Sequence, residues 1–417
     1  MNKIQYKPLV EDLYLIFLFF IVFTLPFSIL LNSYLIGCFI ILWIAKGEFD
    51  YEINKLKKNP LFFLFISIFL IRLVAFFFIS NTEEGLFQLE KQLSLLLFPI
   101  IIGSTKRIPE KTINKLLIAF AAATLLATLI CIFYAIIKFN GSFEVFYLNE
   151  LTRPLQFHYI YFALYVAFAI LIIGYLLVNF SLKLKVNFIL IALILYLLFF
   201  LVLLSAKMVI TAFFVAAIIY ILLIIIKKGA LKYVAVLVGF TILFGLLLYT
   251  LPATRQRIES IFISNPAYNP LSLRLIHWRC VWEIVTEKPT YLIFGVGAGN
   301  DQILLNECFD KEKYWGHQYS YNAHSQYFQT LLNSGMVGLI LLLLIFLFPM
   351  YLAFRRQSYF YLTFLILFAL SCLTESMLTV QKGVVFYALF NSLFAFHFLN
   401  TKEDSTKNYS LNMELKS

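Results

Sequence analysis

NFILIALILYLLFFLVLLSAKMVITAFFVAAIIYILLIII, residues 187–226, decides the fold class. It holds two apolar runs, about 187–204 and 208–226, parted only by Ser205-Ala206-Lys207. Neither run keeps a polar face, so a helix built from it has no side to turn to water. Each is close to the roughly 20 residues that cross a hydrocarbon core of about 30 Å. Two such runs with a three-residue junction read as antiparallel membrane helices in a tight hairpin.

The same pattern extends in both directions. Further apolar runs cover about 13–30, 32–45, 60–79, 92–104, 116–137, 159–180, 233–250, 327–350, 357–374 and 383–398, which makes twelve. The chain is 62% hydrophobic and 13% charged, with mean hydropathy +0.88. A soluble domain carries about a quarter charged residues, and this chain has too few to clothe a water-facing surface. The expected class is an all-α polytopic membrane protein. The expected divisions are a membrane region over 1–250 with about nine helices, one large loop over 251–326, a membrane region over 327–398 with about three helices, and a polar tail, 399–417. The first apolar block runs straight into a second with no small-residue cleavage site, so it reads as a retained span.

The formal net charge is +11. The basic residues cluster between apolar runs, at the N-terminus, 46–58, 106–115, 183–185, 227–232 and 355–356. With twelve spans these clusters all fall on one side, which the positive-inside rule makes cytoplasmic, with both termini. The large loop, with seven basic and seven acidic residues, then lies outside. No aromatic–basic platform occurs in a polar context, so nucleic acid is not an expected partner; membrane lipids are.

Ionisable residues near spans mark function by default. Arg153-Pro154-Leu155-Gln156-Phe157-His158 opens the sixth span, either as an interfacial anchor or as a cationic patch for an anionic headgroup. Lys207 is either a snorkelling lysine or a phosphate-binding charge. The loop carries Arg255, Arg257, Arg274, His277 and Arg279. The stretch 272–288 reads as a helix with Trp278, Trp282 and Val285 on one side and Arg274 beside them. Gly295-Val296-Gly297-Ala298-Gly299 lacks the context of a dinucleotide fingerprint. It reads as a tight turn that lets backbone approach a ligand or a neighbouring helix. The loop ends in Tyr321-Asn322-Ala323-His324-Ser325-Gln326-Tyr327. His324 there either satisfies interfacial backbone or accepts a proton near neutral pH. No second His or Cys has zinc-ligand spacing, so no metal is expected. Cys280 and Cys308 share the loop, either bonded or as two unrelated small apolar residues. A polar interruption at 375–382 holds Glu375 and Lys382.

Three segments carry a resemblance. Arg274 to Gly299, with an arginine, a tryptophan helix, a proline and the glycine turn, resembles the bacterial O-antigen ligase and polymerase superfamily. So does Ala323-His324-Ser325-Gln326-Tyr327-Phe328-Gln329 followed by Gly335 and Gly338, although the family commonly has asparagine where Ser325 is found. Leu373-Thr374-Glu375-Ser376-Met377-Leu378 ahead of Gly383 resembles a subgroup associated with Bacteroidota. The resemblance implies a GT-C-like glycosyltransferase architecture in a bacterial inner membrane, with a periplasmic loop. It implies a donor glycan on undecaprenyl diphosphate and an acceptor sugar of lipid A-core, or a second lipid-linked repeat in a polymerase. It implies no metal, nucleotide or other cofactor. The family histidine maps to His324 and a loop arginine to Arg274. A mid-chain arginine position is Lys207 here, which keeps the charge and loses the bidentate fork.

From these residues, His324 is the expected catalytic base and Glu375 the second candidate. Arg274, Lys207 and Arg153 are expected at the donor diphosphate. Asn322, Gln326, Tyr327, Gly295, Gly297, Gly299, Arg279 and His158 are expected around the loop and acceptor. A transporter of polyprenyl-linked glycans is the competing class. It calls for internal repeats and mid-membrane polar residues; the chain shows no clear repeat, and its notable polar residues cluster at one face.

Overall fold

The computed structural model describes residues 3–77, 80–229, 234–239, 241–242 and 270–398. Most of the expected run 233–250, together with Arg255, Arg257 and the tail 399–417, lies outside the described residues. Among these residues every regular element is helical. The helices are α1 (Lys3–Thr24), α2 (Ile29–Lys46), α3 (Phe49–Lys57), α4 (Pro60–Phe76), α5 (Thr82–Gln92), α6 (Ser94–Ser104), α7 (Glu110–Lys138), α8 (Leu148–Thr152), α9 (Tyr159–Asn179), α10 (Leu184–Leu204) and α11 (Lys207–Lys228). Beyond the undescribed stretch come α12 (Pro270–Thr286), α13 (Pro289–Phe294), α14 (Asp301–Lys311), α15 (Gln326–Arg355), α16 (Tyr359–Ser371) and α17 (Gln381–Leu393).

Local chemistry sets the boundaries. Ser28 Oγ accepts from the Leu31 N–H (3.3 Å) to start α2, and Gly47 ends it in the left-handed region (φ 65°). Asn59 Oδ1 caps α4 through the Leu61 N–H (3.1 Å), with Pro60 in the first turn, where no donor is lost. Between α10 and α11 the chain turns at Ser205 (φ 51°) and Lys207 opens α11. The two helices part there instead of pairing as the expected tight hairpin, α10 packing on α9 and α11 on α9 and α16.

The protein is an all-α polytopic membrane protein. Seven described helices are long and apolar enough to cross a bilayer, eight if the pair 51–57 and 60–76, bent by 88°, is one span. Against the twelve expected runs, the difference has physical causes. α1 carries Lys7, Glu11 and Asp12 in its first half. The run 357–374 folds as α16, of 13 residues, and 383–398 as α17 continued directly by a π-helical segment, Phe394–Phe398. α16 is about 20 Å long, well short of a hydrocarbon core.

Two apolar cores result. In the larger, fully buried Phe120 (α7), Phe168 (α9), Phe364 (α16) and Phe390 (α17) meet ring to ring, which fixes α16, α17 and the segment between them. The smaller joins Cys280, Val281, Ile284 and Val285 of α12 and Leu305 and Phe309 of α14 to Leu331 and Leu332 of α15. The loop is therefore packed onto the first turns of α15. The buried residues of α12 include His277, Cys280, Val281, Ile284 and Val285, with Cys280 bonded to Cys308 on α14. Of the three residues expected on one side, Val285 is buried, Trp278 is partly buried and stacks on Phe328, and Trp282 is exposed.

α15 is broken at Gly335 (φ 61°, ψ −161°). There the glycine turn crosses it. Val296 and Gly297 donate their N–H groups to the Leu332 and Asn333 carbonyls (2.8 and 3.1 Å). A Cβ on Gly295 would lie 2.4 Å from Asn333 backbone, and one on Gly335 2.3 Å from Ile293 backbone. The turn thus brings backbone against a neighbouring helix. Gly295→Ala and Gly335→Ala are each expected to cost about 2 kcal/mol or more, since both add a backbone clash to positive-φ strain. The check is the thermal midpoint of each variant in detergent, with Gly174→Ala, where a Cβ meets nothing within 4 Å, as the control.

Candidate active site

His324 lies two residues before α15, in the left-handed region (φ 44°), which a non-glycine residue adopts only when its surroundings impose it. Asn322 imposes it. Its Oδ1 accepts from the His324 N–H (2.9 Å) and from Ser376 Oγ (3.3 Å). Its main-chain carbonyl accepts from His277 Nδ1 (2.7 Å). That bond puts the His277 proton on Nδ1, so Nε2 accepts from the Tyr314 hydroxyl (3.1 Å). The His277 and His324 rings meet edge to face at 5.1 Å.

The segment between α16 and α17 closes on this turn. His324 Nδ1 is 3.7 Å from Glu375 Oε2, an ion-pair distance rather than a hydrogen bond. The histidine side chain is 29% exposed and the glutamate 9%, so the ring opens to its surroundings while the carboxylate sits behind it. Gln326 ties the two segments together: its N–H donates to the Cys372 carbonyl (2.9 Å) and its Oε1 accepts from the Leu378 N–H (2.6 Å). Tyr327 donates its hydroxyl to the Ala369 carbonyl (2.9 Å).

His158, just before α9, joins the group. It lies within the electrostatic reach of Glu375, His324 and Lys382. Desolvation lowers its pKa, Glu375 opposes this, and His324 and Lys382 add to it. Lys382 Nζ donates to the Gln156 carbonyl (2.8 Å) and sits 3.3 Å over the Phe157 ring. The Tyr161 hydroxyl donates to the Ser376 carbonyl (3.4 Å).

The structure thus gathers His324, Glu375, Asn322, Gln326, Tyr327 and His158. Arg274 is half-buried on α12, one turn before His277, whose ring feels its charge. The glycine turn packs on α15 behind the histidine turn. Arg153 is exposed and paired with Glu150 (3.2 Å), and Arg279 is exposed and paired with Glu283 (2.9 Å) and Glu312 (3.6 Å). Lys207 begins α11 at the turn, with Thr211 Oγ1 donating to its carbonyl (3.0 Å). Sequence reasoning did not single out His277 or Lys382 as site residues. Lys382 left a signal, a charge sharing one short polar interruption with Glu375. His277 left none, since its role depends on a carbonyl 45 residues away. No group of three or more His, Cys, Asp or Glu side chains among the described residues could hold a metal ion.

Residues 191–343 match the family model for O-antigen ligase. The match supports membership of the O-antigen ligase and polymerase superfamily, as the histidine and glycine motifs implied. The O-antigen ligase match includes Lys207, Arg274, the glycine turn and His324, and stops short of Glu375 and Lys382. No curated protein matches the chain.

Cys280 and Cys308 are bonded, closing a 28-residue span of chain, while Cys38, Cys131 and Cys372 are free. Denatured protein is therefore expected to take three thiol-reactive mass tags before reduction and five after it; five tags without reductant would refute the bond. A second expectation concerns pH. Burial pushes His277 down to about 4, against the Asn322 hydrogen bond and with help from the charges of His324 and Arg274. The unfolded chain then binds a proton that the native chain refuses, between the ordinary value of about 6.5 and about 4. Stability is complete above that window and falls as pH drops through it. The thermal midpoint of wild-type protein should show this limb, and that of His277→Gln should lack most of it.

Proposed function

We propose that the chain is an O-antigen ligase that transfers an undecaprenyl-diphosphate-linked glycan to a sugar hydroxyl of lipid A-core. The observation that carries this reading is the His324–Glu375 pair, whose histidine sits on a loop turn within the O-antigen ligase match. In this reading the chain has about twelve spans, a GT-C-like architecture and cytoplasmic termini, and the loop faces the periplasm of a bacterial inner membrane. The Cys280–Cys308 bond supports that side, because disulfides persist in oxidising compartments.

The chemistry is a single inverting displacement with no metal or other cofactor. The acceptor hydroxyl oxygen attacks the anomeric carbon of the donor. Its proton passes to His324, through the ring nitrogen turned away from Glu375. The bond from the anomeric carbon to the diphosphate oxygen breaks, and undecaprenyl diphosphate leaves with the electron pair. Glu375 faces Nδ1 and stabilises the imidazolium formed in that step. The leaving group gains charge at its bridging oxygen, where cations favour the transition state over the ground state. Arg274 and Lys207 fill that role in this reading, with Arg153 at the rim. Asn322 sets the histidine, Gln326 and Tyr327 hold the closing segment, and Gly295, Gly297 and Gly299 seat the loop. His158 and Arg279 border the acceptor side.

The test is transfer by the purified full chain, offered a lipid-linked glycan with lipid A-core and, separately, with a second lipid-linked repeat. Glycan joined to lipid A-core is the expected product. Longer lipid-linked chains would instead make the protein a polymerase, and movement of the donor across vesicles with no new bond would make it a transporter. His324→Ala, inserted normally, should lower transfer about a hundredfold or more, and Glu375→Gln by about tenfold to a hundredfold. Wild-type rates from His324→Ala would rule out the base.

A further inference from the structure

Arg72 is the least expected side chain in the membrane region. It sits on α4, about one turn from the end next to the glycine turn, where the Ser80 N–H donates to Asn300 Oδ1 (3.3 Å). It is 3% exposed. Among the described residues, no hydrogen bond satisfies its Nε, Nη1 or Nη2. Asp301 is the charged group whose field reaches it. That carboxylate is already engaged: Oδ1 accepts from the Gly299 N–H (3.1 Å) and Oδ2 from Gln329 Nε2 (2.8 Å).

A guanidinium stays charged under any working condition and carries five donors in a rigid fork. Burying it with none of them used opposes folding, and replacing it with an apolar side chain of similar length relieves that cost. The helices packed against α4 carry further unsatisfied polar groups. Gln92 Nε2 and Oε1 and Ser334 Oγ are buried and unpaired, on α5 and α15, both of which pack against α4. A buried cation with its whole fork unused suits an anion with several acceptor oxygens.

We infer that Arg72 is a phosphate-recognition residue: its guanidinium takes the phosphate oxygens of a substrate that enters beneath the glycine turn. The inference rests on the proposed function in naming that substrate as the lipid-linked donor, since a diphosphate supplies oxygens enough for the whole fork. Arg72 also lies behind the catalytic turn. Asp301, which feels Arg72, accepts from Gln329, and Gln329 Oε1 accepts from the Ala323 N–H (3.0 Å) next to His324. Phosphate on Arg72 would therefore sit one short network away from the base.

The test compares wild type, Arg72→Met and Arg72→Lys, as purified full-length protein, by two readouts. The first is affinity for undecaprenyl diphosphate and, separately, for inorganic pyrophosphate. The second is the thermal midpoint without ligand. Arg72→Met is expected to lose about tenfold or more in affinity while its ligand-free midpoint holds or rises, with Arg72→Lys between the two. A residue that only supports the fold gives the opposite pair, so unchanged affinity or a lower midpoint in Arg72→Met overturns the inference. Wild type that binds pyrophosphate but not undecaprenyl diphosphate refutes the donor reading and leaves the phosphate site standing if Arg72→Met abolishes that binding. Wild type that binds neither refutes the site.

Discussion

The break in α15 at Gly335 and the glycine turn laid across it form the contact on which the rest depends. In an unbroken helix the Leu332 and Asn333 carbonyls would accept from the N–H groups of residues 336 and 337. The break releases them, and in apolar surroundings a released carbonyl needs a donor. Val296 and Gly297 supply two. Backbone can approach backbone so closely only because Gly295 and Gly335 have no Cβ. The loop is thereby fixed to the membrane domain at the first turns of α15, and the residues just ahead of those turns include His324. Once α12 and α14 have packed on Leu331 and Leu332, the histidine has little freedom left, and Asn322 removes the remainder.

The site draws on segments far apart in the chain, 153–158, 274–277, 322–327 and 375–382, and each is delivered by a different mechanism. α9 brings His158 through its own start. The aromatic cluster of α7, α9, α16 and α17 brings Glu375 and Lys382, because the segment between α16 and α17 has both ends anchored in that core. The disulfide and the smaller core bring α12. Charges so assembled act in surroundings of low dielectric, where each is felt more strongly than in water. This explains why His158 registers an acid, a histidine and a lysine at once.

The membrane class was legible because it depends on composition and run length, which need no tertiary information. The two long apolar helices on either side of Ser205 were legible for the same reason, but not that they part instead of pairing. The glycine turn and the histidine motif were legible because their residue types have few other uses. The shortness of α16 was not legible. The run 357–374 is apolar throughout, and only packing decides that 13 of its residues form the helix. Which side of α12 is buried was not legible, because it depends on a disulfide to Cys308, 28 residues on. His277 was visible in the loop but its role was not, because its hydrogen bonds run to a carbonyl and a hydroxyl that sequence spacing does not bring near. Arg72 escaped notice because an arginine within an apolar run shows its charge in the sequence and hides its partners.

Several exceptions to ordinary protein construction involve α4, α5, α15 and the loop. His324 holds a left-handed backbone without being glycine. Asp301 is buried, which raises its carboxyl pKa against the Gly299 hydrogen bond. Arg72 is buried with its donors unused, and Gln92 and Ser334 carry unpaired polar atoms on the helices packed against it. Each feature opposes stability, and local cost is retained where something other than folding requires it. The guanidinium of Arg72 is the largest of these costs, because it combines a fixed charge with donors left unused, and a phosphate bound there would offset it.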